Sequence, residues 1–71
     1  MDIRIIVTIA DSHIGIIAEV AAQLRAAGMT VEQVLETVGV VTGVVSQGNL
    51  PRLSAVPGVV SVEEETTFQA L

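Results

Sequence analysis

The stretch IRIIVTIADSHIGIIAEVAAQLRAAGMTV, residues 3–31, changes hydrophobic period twice, and those changes decide the fold. Over residues 3–9 the β-branched side chains crowd together and the period is two. Ile3, Ile5, Val7 and Ile9 fall on one face, and Arg4, Ile6 and Thr8 on the other. Apolar groups on both faces point to a central strand, with either Ile6 or the larger isoleucine set on its uncovered side. Over residues 11–27 the period lengthens to that of a helix. Ile17, Val20, Ala21 and Leu24 form an apolar stripe, while Glu19, Gln23 and Arg25 fall largely away from it. Asp11 or Ser12 is suited to cap the start, and Gly28 stands where a left-handed stop is wanted. At Met29 the chain returns to strand character.

Working outward, MTVEQVLETV (29–38) reads as a second strand with a bulge near Gln33 and Val34, where alternation falters. Gly39 suits a tight turn into a third strand, VVTGVVS (40–46). Gly43 inside that strand signals a bulge or a close backbone approach. NLPRLSAV (49–56) reads as a short helix, capped by Asn49, with Pro51 in its first turn and Leu50, Leu53 and Val56 facing inward. Pro57-Gly58 ends it, and VVSVEEE (59–65) is a fourth strand, with Val60 and Val62 as its expected core residues. The order β-α-β-β-α-β, with right-handed crossovers, predicts an α+β ferredoxin-like sandwich. This is a four-stranded antiparallel sheet with two helices on one face. Residues 1–65 form the domain and residues 66–71 an extended tail.

The bulk numbers narrow the function classes. The chain has 71 residues, 51% of them hydrophobic, almost all aliphatic; Phe68 is the single aromatic residue. With no cysteine, disulfides, thiolate metal sites and cysteine nucleophiles are excluded. The formal charge is −5, and Arg4, Arg25 and Arg52 are the only basic groups besides His13. A nucleic-acid partner is not expected, because it calls for a basic face and, for single strands, stacking aromatics. No apolar run reaches the roughly 20 residues that cross a bilayer, and no secretory leader is expected within these residues. No cofactor or metal is expected. The localisation is open: cytoplasmic for a free-standing protein, secreted for one processed from a larger precursor.

The last ten residues, VEEETTFQAL (62–71), pose the functional question. The two-residue period puts Val59, Ser61, Glu63 and Glu65 on the uncovered face of the sheet, with Glu64 opposite, at the rim. Paired carboxylates one pleat apart can accept hydrogen bonds from free N–H groups at the helix N-termini of another protein. Thr and Phe favour extended backbone, so TTFQAL can add a strand to a partner's edge. The plain alternatives are a solvated acidic edge, a weak divalent-cation site and a frayed terminus.

The whole chain resembles the propeptide-type inhibitors of subtilisin-like serine proteases, the I9 group. The likeness rests on a first helix ending in AAGMTV, a hairpin around ETVGVV and, above all, VPGVVSVEEE followed by a six-residue tail. The resemblance implies an inhibitor, and a possible folding chaperone, of such a protease, monomeric when free. Its uncovered sheet face would pack on two surface helices of the protease, with Glu63 and Glu65 capping their N-termini. The tail would lie in the cleft as a product-like strand. Leu71 would enter the primary specificity pocket, Ala70 the small neighbouring site and Phe68 a hydrophobic pocket, with Gln69 turned to solvent.

Two rivals share parts of the pattern. DSHIGIIAEVAAQLRAAGMTV (11–31) is similar to the first loop and helix of ACT-type regulatory domains, which have the same element order and bind small molecules as dimers. The spacing from Asp11 to Gly15 departs from theirs by one residue, and the short hairpin and second helix leave little wall for a pocket. An enzyme is not expected: His13 is the one histidine, and Ser12, Ser46, Ser54 and Ser61 have no evident base partner.

Overall fold

The structure is a computed structural model and describes residues 2–65. β1 (Asp2–Ile9) leads through a 3₁₀ segment (Asp11–Ile16) into α1 (Ile17–Ala26). A hairpin follows, β2 (Met29–Leu35) and β3 (Val40–Ser46). A second 3₁₀ turn (Gln47–Asn49) then enters α2 (Leu50–Ser54), and β4 (Val59–Glu64) completes the sheet. The strand order is β2-β3-β1-β4, with every neighbouring pair antiparallel. This is the ferredoxin-like arrangement, with β1 and β3 in the centre and β2 and β4 at the edges.

The core follows from the two periods. Ile5, Val7 and Ile9 of β1, Val41 and Val45 of β3 and Met29 of β2 meet Ile17, Val20 and Leu24 of α1 and Leu53 of α2. All are close to fully buried, and no polar or charged side chain is buried with them among the described residues. The helix stripe expected from sequence is therefore the buried one, and the smaller isoleucine share, Ile6, lies on the uncovered face. Gly28, at φ 108°, terminates α1 as a residue without a Cβ can.

Several local features differ from the sequence reading. Neither helix begins on a side-chain cap: Ala10 and Ser46 precede the 3₁₀ segments, Asn49 precedes α2, and none makes a capping bond. In a 3₁₀ start the N–H groups donate to carbonyls three residues back, as His13 N–H does to Ala10 at 2.8 Å, and the turn forms without a side-chain acceptor from Asp11, Ser12 or Asn49. β2 ends at Leu35, and residues 36–39 form the turn, where Gly39 N–H donates to the Leu35 carbonyl at 2.9 Å. The β2 bulge falls between Val31 and Gln33, so Glu32 is the extra residue.

Val60 is not in the core. Between Thr8 and Ile9 the β1–β4 register shifts, so that Thr8 pairs with Ser61 but Ile9 pairs with Val59. Val60 is left over and 64% exposed, while Val59 takes the inward position. A bulge of this kind breaks strict alternation, which is why the two-residue period misassigned the pair.

Candidate functional site

The helices cover one side of the sheet and leave the other open. Alternation across the register sends Arg4, Ile6 and Thr8 of β1 to that open face, with Val40, Thr42 and Val44 of β3 beside them. On the β4 side, Glu63 lies opposite Ile6 and Ser61 opposite Thr8. Glu65 follows the same alternation, its N–H donating to the Arg4 carbonyl at 2.8 Å. Glu63 and Glu65 therefore lie on the same side, one pleat apart, and both are exposed. Glu64 pairs with Ile5 on the other side, exposed at the rim.

The face is a patch of half-buried aliphatics, Ile6, Val40 and Val44, with Leu35 exposed at one side. Its charge is mainly negative: Asp2, Glu32, Glu63 and Glu65 surround one guanidinium, that of Arg4. Arg25 and Arg52 belong to α1 and α2. Arg4 bonds the Glu32 carboxylate on β2 through one terminal nitrogen, and its Nε lies 3.6 Å from Glu65 Oε2. Both pairs are about half exposed to solvent. With Ile6, Gln33 and Thr42 these three charged groups line a shallow hollow on the open face. The Glu63 carboxylate has no hydrogen-bond or ion-pair partner among the described residues.

The sequence reading missed this arrangement. Arg4 and Glu32 are 28 residues apart in the chain. They meet only because β2 lies two strands from β1 and because the bulge displaces Glu32 from the strict pleat. A sequence signal did exist: Arg4 is the one basic residue in any of the strands, on a face whose other charged groups are acids.

His13 is half-buried, and its ring packs where a Cβ on Gly58 would stand, 2.7 Å away. Contrary to expectation, a hydroxyl does lie beside it: Ser12 Oγ is 2.9 Å from Nδ1. This is a contact between neighbours in a 3₁₀ turn, and no carboxylate among the described residues bonds the ring to orient it as a general base would be oriented. No group of three His, Cys, Asp or Glu that could hold a metal ion occurs among the described residues. No helix among the described residues is long and apolar enough to cross a membrane. Phe68, Gln69, Ala70 and Leu71 lie outside the described residues. Comparison of the chain with models of protein families, with curated proteins and with solved structures gives no match.

Proposed function

We propose that this chain is an inhibitor of a subtilisin-like serine protease, acting through the open sheet face and the tail. One observation carries the reading. Glu63 and Glu65 stand side by side, exposed, on the uncovered face of an edge strand that runs directly into residues 66–71. Carboxylates so presented suit the unsatisfied N–H groups and positive end of a partner's helices. The half-buried aliphatics beside them supply apolar surface for the same contact. The likeness of VPGVVSVEEE and its tail to the I9 inhibitors points the same way. On this reading Leu71 occupies the primary specificity pocket, Ala70 and Phe68 the neighbouring apolar sites, and the tail pairs with the cleft as an added strand.

The test is selectivity. The purified chain is titrated into a subtilisin-type and a chymotrypsin-type protease, and hydrolysis of a small chromogenic peptide is followed. Saturable inhibition of the first with none of the second is expected. Equal inhibition of both, or of neither, rejects the proposal. Dimerisation on adding free amino acids would instead favour an ACT-like regulator.

A further inference from the structure

We propose that Arg4 is the residue that positions the end of β4, and with it Glu65, for partner binding; the inference rests on the inhibitor reading above. Among the described residues β4 is an edge strand, paired with β1 alone. At its end a backbone bond runs from Glu65 N–H to the Arg4 carbonyl, the last among the described residues, and the Glu65 carboxylate is ion-paired with the guanidinium of that same Arg4. One residue thus grips the strand end twice, by main chain and by side chain.

The guanidinium is itself anchored from the far side of the sheet. Its terminal nitrogen bonds Glu32 on the opposite edge strand, where the β2 bulge supplies that carboxylate, and the side chain lies across β3 to reach it. A planar fork can serve two carboxylates from different nitrogens at once; an ammonium is a single point charge. The two contacts are unequal. Glu32 is bonded directly, whereas Glu65 at 3.6 Å is beyond hydrogen-bond range, so Arg4 orients the Glu65 carboxylate without consuming its lone pairs. Those lone pairs stay open to donors on a partner. Arg4 also offsets the mutual repulsion of Glu63, Glu64 and Glu65, which would otherwise splay the strand end. In water the pair is weak, because both groups are half exposed. Beneath a partner the screening falls and the interaction strengthens, so removal of Arg4 acts on the complex more than on the free domain.

The experiment combines Arg4→Gln, Arg4→Lys, Glu65→Gln and the double variant Arg4→Gln/Glu65→Gln. Affinity for the subtilisin-type protease is measured, together with amide-hydrogen exchange of the free protein. Arg4→Gln is expected to weaken binding about tenfold, Arg4→Lys to recover only part of the loss, and the double variant to bind no worse than the weaker single. In the free protein the Glu65 amide loses protection in Arg4→Gln while that of Val7 does not. Unchanged binding by Arg4→Gln overturns the inference, as do full rescue by lysine and losses that simply multiply in the double variant. Should the unaltered chain bind no protease, the inhibitor reading fails. The exchange data then decide by themselves whether Arg4 holds the end of β4.

Discussion

Gly43 shows how much one position can constrain this sheet. It lies in β3 between Ile5 of β1 and Val31 of β2, next to the bulge at Glu32. A Cβ there would come within 2.0 Å of the Thr30 carbonyl oxygen, which belongs to backbone and cannot rotate away. Gly43→Ala is expected to destabilise the domain by about 3 kcal/mol. At ~4–8 °C per kcal/mol for a domain of this size, the thermal midpoint should fall by more than about 10 °C; an unchanged midpoint would show that the strands relax apart at no cost. The sequence announced this residue, because a glycine amid valines has few other reasons to be there. It did not announce that Val59 rather than Val60 turns inward, since both are valines and only the register distinguishes them. The Arg4–Glu32 contact was hidden for the same reason: it depends on which strands are neighbours and on one displaced residue.

Among the elements, α1 was the most legible. Ile17, Val20, Ala21 and Leu24 recur at helical spacing and are the residues that the sheet covers. Its start was less so: Asp11 and Ser12 are suited to cap it, yet the chain enters through a 3₁₀ turn with no side-chain capping bond. β4 divides its labour by face, and that division can be measured. Val62, opposite Val7, packs against the core, whereas Glu63, opposite Ile6, faces outward. Val62→Ala should lower stability by about 1 kcal/mol. Glu63→Ala should leave the unfolding midpoint alone and weaken protease binding by about 1–2 kcal/mol. Denaturant titration paired with an inhibition assay separates the two effects. A Glu63→Ala protein that binds as well as the parent would return this acid to the role of a solvated edge group.

At the level of the molecule, the topology was readable because every change of period after the first coincided with a glycine or proline boundary, and because a β-α-β-β-α-β order with right-handed crossovers leaves few arrangements. The open face was readable as well, since two helices cover one side of a sheet. The tail lies outside the described residues, and the contacts proposed for it are made with another protein. Removing residues 68–71 is accordingly expected to abolish inhibition while leaving the far-ultraviolet circular dichroism unchanged. Loss of helix and sheet signal on truncation would mean that these residues belong to the domain itself.

The two bulges have a consequence for self-assembly. A four-stranded open sheet leaves two rows of unpaired main-chain groups, each a template on which further copies could stack. In this protein both rows are interrupted, one at Glu32 and the other at Val60. A second copy aligning along either margin would find only three or four residues in step before the hydrogen-bonding groups fell out of phase. The kinks that turn one acid toward Arg4 and one valine toward solvent thereby also blunt both margins against edge-to-edge pairing.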